Sequence, residues 1–165
     1  MSKVLIIPDV HGRTFWQEAK ELINDVERVV FLGDYLDPYP YEGIYFDEAL
    51  DNFTDILTFK GSFKDKVILL LGNHDMHYYD TDFMDCSRMN HKMREGLHQL
   101  YHENKELFKL THVEEDYLFS HAGVMEPWLT KYCKCDIDTF LNKPLEEVIK
   151  ELEVISYLRG GWERY

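Results

Sequence analysis

Positive charge is scarce in this 165-residue chain. Lys and Arg number 18 against 31 Asp and Glu, a formal net charge of −13. An acidic surface repels phosphate backbones, which argues against general nucleic-acid binding. An anionic substrate would then need a local positive centre, which a bound metal ion can supply. Cysteine is sparse too. Cys86, Cys133 and Cys135 make an odd count with no secretory segment, which fits reduced thiols and a cytoplasmic protein. Cys133-Lys134-Cys135 lacks the two-residue spacer of common zinc knuckles, so all three read as structural thiols. Long hydrophobic runs are missing: the first apolar stretch stops at Pro8 and Asp9, too short for a signal-peptide core or a membrane span. No membrane association is therefore expected. There are no repeats, linkers or low-complexity tracts, and the length suits one α/β domain over residues 1–165.

What the chain does contain is a repeated pattern. Val67 to Leu71 is a continuous apolar run bounded by Gly72, as expected of a strand covered on both faces. It leads straight into Asn73-His74-Asp75. Val4 to Ile7, with Pro8, leads into Asp9-Val10-His11-Gly12, and Val29 to Leu32 leads into Gly33-Asp34-Tyr35-Leu36-Asp37. Tyr117 to Phe119 leads into Ser120-His121-Ala122-Gly123. Open α/β sheets bind ligands at the carboxyl ends of their strands, and here four apolar runs deliver Asp, Asn or His to such ends.

Between them, Thr14 with Gln17 three residues on predicts a capping box. Phe15, Trp16, Ala19, Leu22 and Ile23 then recur at helical spacing. The strand–helix–strand order implies a parallel pair. Asp37 to Gly43 is a loop rich in tyrosine, either a wall of a pocket or an ordinary loop packing its own aromatics. Phe46, Ala49, Leu50, Phe53, Ile56 and Leu57 mark an amphipathic helix that ends at Gly61-Ser62. His77 to Asn90 shows no period, and Met93, Leu97, Leu100 and Tyr101 resume a helix. Phe108 to Val113 and Tyr117 to Phe119, joined by Glu114-Glu115-Asp116, predict a hairpin. Helices are expected after Pro127 and Pro144.

Brought together, these strand ends could bind metal. Asp9 and His11 can reach one cation from a single loop, and Asp34 has two oxygens with which to bridge two cations. Asn73 offers an amide oxygen and His121 an imidazole nitrogen. Mixed His, Asp and Asn ligation suits Mn²⁺, Fe or Zn²⁺, with Mn²⁺ favoured here. Two ions roughly 3.5–4 Å apart lower the pKa of a bridging water and clamp a phosphoryl group. Taken singly, each piece has an ordinary explanation: a turn, a helix cap or a satisfied core histidine. Their order along the chain is what gives them weight.

In Asp9-Val10-His11-Gly12, Gly33-Asp34-Tyr35-Leu36-Asp37, Gly72-Asn73-His74-Asp75 and Ser120-His121-Ala122-Gly123 the sequence resembles the calcineurin-like metallophosphoesterases. The His-Ala-Gly form of the last block looks closest to serine/threonine phosphoprotein phosphatases and bacterial diadenosine tetraphosphatases. The resemblance implies a β-sandwich flanked by helices and a centre of two divalent metal ions. It places Asp9, His11 and Asp34 on the first ion and Asp34, Asn73 and His121 on the second. It implies that a metal-bridging hydroxide attacks, that His74 protonates the leaving group, and that Asp37 orients His74. The substrate would be a phosphorylated small molecule, a nucleotide or a phosphoprotein, cleaved at a phosphomonoester or pyrophosphate-type bond.

Three departures from that pattern bear on the expectation. Pro38 stands where the phosphoprotein phosphatases carry Arg after the aspartate, so phosphate clamping must come from elsewhere. Arg13, Arg88 and the Asn73 amide are the substrate-binding candidates, the two arginines being equally readable as surface charges. The excursion from His77 to Asn90 could belong to a substrate pocket. The last His-containing block is missing, since no His follows His121. The expectation is therefore of a C-terminally truncated domain with a second metal site short of a ligand. An exposed sheet edge could then favour self-association. The same gap motivates an alternative, a catalytically weak or inactive metal-binding scaffold.

Overall fold

A computed structural model of the chain describes residues 3–115 and 117–123, with the isolated positions 130, 136, 138 and 139. The helices expected after Pro127 and Pro144, and Cys133 and Cys135, lie outside the described residues.

The apolar runs pair into one parallel sheet. Its strands are β1 (Val4–Ile7), β2 (Arg28–Phe31), β3 (Val67–Leu70) and β4 (Phe108–Lys109), in the order β1-β2-β3-β4. The register sets Ile7 beside Phe31, Phe31 beside Leu69, and Leu69 beside Phe108, so the strands end level. Side chains alternate between faces. Val29, Phe31, Val67 and Leu69 join the main core with Trp16, Ala49, Phe53, Ile56, Leu97 and Tyr101, whereas Val30, Ile68 and Leu70 form a smaller cluster on the other face. Burial on both faces is why the runs are continuously apolar.

The main core is covered by α1 (Glu18–Leu22), α2 (Phe46–Ser62) and α4 (Arg94–Glu103), while α3 (Asn73–Tyr79) follows β3 directly. The smaller cluster is met by Phe119 of a hairpin made of β5 (Thr111–Glu114) and β6 (Tyr117–Ser120), antiparallel with Thr111 opposite Ser120. An Arg28–Glu114 ion pair at 2.9 Å ties this hairpin to the start of β2. The architecture is thus mixed α/β, a parallel sheet with helices on one face and an antiparallel hairpin on the other. Among the described residues no helix is long and apolar enough to cross a membrane.

Several sequence expectations need correction. Thr14 makes no side-chain cap; at φ −100°, ψ 2° it lacks the extended backbone that an N-cap needs. The chain enters instead through a 3₁₀ turn over Phe15–Gln17, and α1 is a single short turn beyond it. Phe15 and Leu22 consequently face outward, at 39% and 42% exposure. The run from Phe108 to Val113 is two strands, which change partners at Leu110. The segment taken as irregular from His77 is helical up to Tyr79.

One buried carboxylate joins the loops after β2 and β3. Asp75 Oδ2 accepts the main-chain N–H groups of Asp34 (2.7 Å) and Gly72 (2.7 Å). Its Oδ1 accepts the Tyr35 N–H (3.1 Å) and the Tyr101 hydroxyl (2.7 Å). Burial and the charge of Asp34 push the Asp75 pKa up to about 6, against the pull of these donors. An amide in its place would offer one acceptor oxygen and set an NH₂ against N–H donors. Asp75→Asn should therefore lower the unfolding free energy at pH 7.5 by about 3 kcal/mol, as two charge-assisted hydrogen bonds are lost. Urea denaturation of the two proteins measures this, and an unchanged midpoint would contradict it.

Candidate active site

The three parallel strands β1, β2 and β3 end on one edge, and their loops are bonded to one another. Val10 and His11 donate main-chain N–H groups to the Asp34 carbonyl at 3.1 and 2.7 Å, and Gly12 donates to the Tyr35 carbonyl at 2.9 Å. The Trp16 indole N–H donates to Asn52 on α2 at 2.8 Å, and Asn52 donates onward to the Arg13 carbonyl at 3.1 Å. The first loop is thereby held from both sides. Five non-glycine residues have positive φ among the described residues, and four of them are His11, Asp34, Asp37 and Arg88. Left-handed backbone costs a residue with a Cβ about 1–2 kcal/mol, and such strain clusters where surrounding contacts over-determine the conformation. Gly72 serves by having no side chain: a Cβ there would run into Asp34 Oδ1 and the His121 ring.

Lone pairs converge at Asp34. Its Oδ1 accepts the His74 N–H at 2.9 Å. Its Oδ2 stands 3.5 Å from His11 Nε2 and 3.7 Å from His121 Nε2. Each imidazole donates its Nδ1–H to a carbonyl, His11 to Leu36 at 2.8 Å and His121 to Leu32 at 2.9 Å. Each Nε2 is therefore the nitrogen that presents a lone pair, the tautomer that metal-ligating histidines adopt. Burial, outweighing the Leu36 carbonyl and Asp34, lowers the His11 pKa and keeps that ring neutral. Asn73 Oδ1 lies 3.0 Å from His121 Nε2, with its amide oriented by an Nδ2–H bond to Cys86 Sγ at 3.3 Å. Asp9, Asp34 and His121 carry ligand atoms all within 4.8 Å of one another. Asp9, Asp34 and His121 thus aim acceptors at a shared space, with His11 beside Asp34 and Asn73 beside His121 at its edge, and the acceptors repel one another unless a cation joins them. This donor set fits divalent metal ions.

A second cluster lies beside the first and differs in kind. Asp37 is fully buried. Its Oδ2 accepts His74 Nδ1–H at 2.8 Å and stands 2.9 Å from His77 Nε2, and its Oδ1 accepts the Tyr78 hydroxyl at 2.6 Å. Burial raises the Asp37 pKa, but these donors outweigh it and hold the carboxyl below its ordinary value. The atoms of Asp37, His74 and His77 are close enough for a metal, yet His74 and Tyr78 already donate to Asp37, and the cluster reads as a hydrogen-bonded relay. The His74 and His11 rings are 5.1 Å apart, edge to face.

The two candidate arginines are placed differently. Arg88 donates from Nε to the Asp37 carbonyl at 3.0 Å and approaches His74 Nε2 with Nη2 at 3.3 Å. Its guanidinium lies 3.9 Å above the Tyr39 ring, and that ring packs edge-on against His11. Arg13 donates from Nε and Nη2 to Glu42 at 3.0 and 2.8 Å and from Nη1 to the Asp9 carbonyl at 3.3 Å, so its charge is already matched.

Sequence reasoning missed Asp75, His77, Tyr78 and the link from Cys86 to Asn73. A signal existed for two of them. Asp75 is the third residue of a helix begun at Gly72–Asn73, the reciprocal position of a capping box. His77 follows His74 by three, the spacing that puts both on one helix face.

Removal of the shared ligand should be the most damaging single change to metal binding. Asp34→Asn is expected to weaken Mn²⁺ affinity by about 100-fold or more, read by equilibrium dialysis. A loss under tenfold would remove Asp34 from its shared position.

Comparison with known proteins bears on the same residues. The family model for calcineurin-like phosphoesterases matches residues 2–158, which include all four loops. No curated protein and no solved structure matches the chain. With nearly its whole length matched, and an acceptor cluster suited to divalent metal at the strand ends, the chain belongs to the calcineurin-like phosphoesterase family.

Proposed function

We propose that this phosphoesterase cleaves a phosphomonoester or pyrophosphate-type bond, using His74 to protonate the leaving group and Arg88 to hold the phosphoryl oxygens. The observation that carries this reading is the approach of Arg88 Nη2 to His74 Nε2, at 3.3 Å, beside the Asp34 cluster. A cation and a proton carrier stand together where an anion would lie.

Asp9, His11, Asp34, Asn73 and His121 are the residues that would hold divalent ions, with Mn²⁺ the favoured choice. Ions bound there would supply positive charge for the phosphoryl group and acidify a water molecule. The chain's own residues do the rest. Asp37 fixes the His74 ring by accepting its Nδ1–H, which leaves Nε2 directed at the substrate side. While Arg88 donates to that nitrogen, a proton there is opposed. A phosphoryl oxygen that accepts from Arg88 draws the guanidinium away and frees Nε2 to carry the proton. Asp37 then stabilises the charged ring until Nε2 delivers its proton to the departing oxygen. The Tyr39 ring and the Asp37 carbonyl keep the guanidinium flat and in reach, a geometry that the ammonium of lysine does not reproduce. A small phosphorylated molecule, a nucleotide and a phosphoprotein are all compatible substrates.

Hydrolysis of p-nitrophenyl phosphate with and without Mn²⁺ tests the assignment. Asp34→Asn and His74→Asn should each reduce turnover to background while leaving thermal unfolding cooperative. Full activity in either variant, or no Mn²⁺-dependent turnover in the wild type, would overturn it. Arg88→Lys should lower kcat/KM about 10- to 100-fold, the loss of one charge-assisted contact worth about 1.5–3 kcal/mol, chiefly through KM. Unchanged kinetics would dismiss Arg88 as the clamp.

A further inference from the structure

We propose that His77 is a positioning residue for His74, acting through Asp37, and that the Cys86 main chain holds it in that role. The inference rests on the function proposed above. Nothing in the packing demands an imidazole at this position. His77 is 0% exposed, among the rings of Tyr78 (4.2 Å) and His74 (5.6 Å), where an apolar ring would also fit. A buried polar ring is retained at a cost unless its nitrogens are used.

Both are used. The Cys86 N–H donates to His77 Nδ1 at 3.1 Å, so that nitrogen carries a lone pair and the ring's proton is on Nε2. Nε2 stands 2.9 Å from Asp37 Oδ2 but out of line for a straight hydrogen bond, a contact of the kind that tightens when an active site is filled. A second proton, on Nδ1, would meet the Cys86 amide hydrogen, so charging the ring requires that peptide to turn.

The consequence falls on His74. Its Nδ1–H and the His77 Nε2–H share one oxygen of Asp37, and Tyr78 holds the other. With His77 in place the carboxylate stays turned toward His74 and has too little basicity left to take its proton. The His74 proton therefore stays on Nδ1, and Nε2 is the nitrogen that works. Without His77, Oδ2 is left buried with one donor, and the carboxylate is no longer held turned toward His74. Cys86 adds a link of its own. The residue that sets the His77 tautomer also accepts the Asn73 side-chain N–H through sulfur, so one residue of the irregular segment after α3 steadies both halves of the site.

Two substitutions separate positioning from packing. His77→Asn keeps an acceptor for the Cys86 amide but is too short to reach Asp37. His77→Gln can place an amide N–H near the Nε2 position. His77→Asn should lower kcat about 10- to 100-fold, the usual effect of removing a group that orients a working residue, with KM within twofold and Mn²⁺ affinity unchanged. His77→Gln should recover most of that loss. Failure of His77→Gln to recover activity would overturn the proposal, as would a loss in His77→Asn that falls on Mn²⁺ affinity instead of kcat. Should His77→Asn not fold, His77→Phe replaces it, keeping ring volume without a donor.

A second measurement does not depend on turnover. Long-range ¹H–¹⁵N spectra of the wild type should show His74 as the Nδ1–H tautomer, with its Nδ1–H resonance displaced in the variant without the donor. An unchanged His74 spectrum in a folded variant would overturn the positioning role even if the protein proves to be an active phosphoesterase. A wild type without phosphoesterase turnover would overturn the function instead, and the spectra would still decide how His74 is held.

Discussion

The Asp75 carboxylate is the constraint from which the site follows. It takes main-chain N–H groups from two loops that lie about 40 residues apart in sequence. A loop after β2 that has to carry Asp34 and Asp37 in left-handed backbone gains little from its own residues. The N–H groups of Asp34 and Tyr35 turn inward, away from water, and need an acceptor. Asp75 supplies it from the first turn of α3 and satisfies the Gly72 N–H as well. Tyr101 on α4 closes the arrangement. One residue thereby links β2, β3, α3 and α4, and the level strand ends become a shared platform.

Glycine and strain work together on that platform. The main chain at Gly72 must pass so close to Asp34 and His121 that no side chain fits. His11, Asp34 and Asp37 take conformations that favour glycine, yet each carries a side chain that points into the acceptor cluster or the relay beside it. The cost falls on the hydrogen bonds between loops. The Asp34 carbonyl accepts two N–H groups from the β1 loop, and each such bond contributes about 1 kcal/mol, the same order as the strain it offsets.

Much of this organisation was legible in the sequence. Strands buried on both faces must be nearly continuous apolar runs, so β1, β2 and β3 were marked, and the residues after them were the ones to examine. Asp9, His11, Asp34 and Asn73 of the acceptor cluster come from those positions, and His121 comes from the end of β6. The boundary between β4 and β5 was hidden because Leu110 is apolar like its neighbours, and no Gly or Pro marks the change of partner. The first helix was overcalled because hydrophobic spacing does not report the backbone angles of Thr14. The capping-box position of Asp75 marks it only as a residue of a helix start, and the spacing of His77 marks it only as sharing a helix face with His74, so their roles depend on partners brought close by the fold. Arg88 reaches Asp37 across 51 residues, from a segment with no period to read. Cys86, taken as an inert thiol, turns out to touch both Asn73 and His77.

Asp34 and Asp37 show how two carboxylates three residues apart come to opposite uses. At an effective dielectric of about 20, unit charges about 4 Å apart interact by about 4 kcal/mol, so neighbours decide what each carboxylate attracts. Asp34 Oδ2 looks out on imidazole lone pairs and, with Asp9 nearby, makes a space that only a cation can occupy stably. Arg88 alone does not offset those charges, so Asp9 and Asp34 reject an anion until divalent ions neutralise them. Asp37 meets hydrogens in every direction, from His74, His77 and Tyr78. It needs no metal to be stable as an anion and is free to govern a proton. The difference arises from orientation. The rings of His11 and His121 are turned by the carbonyls of Leu36 and Leu32 so that nitrogens without hydrogen face Asp34. The helix after β3 presents N–H and O–H groups to Asp37. The proposed division of labour between metal binding and proton transfer would rest on which carbonyl or carboxylate takes the hydrogen of each histidine.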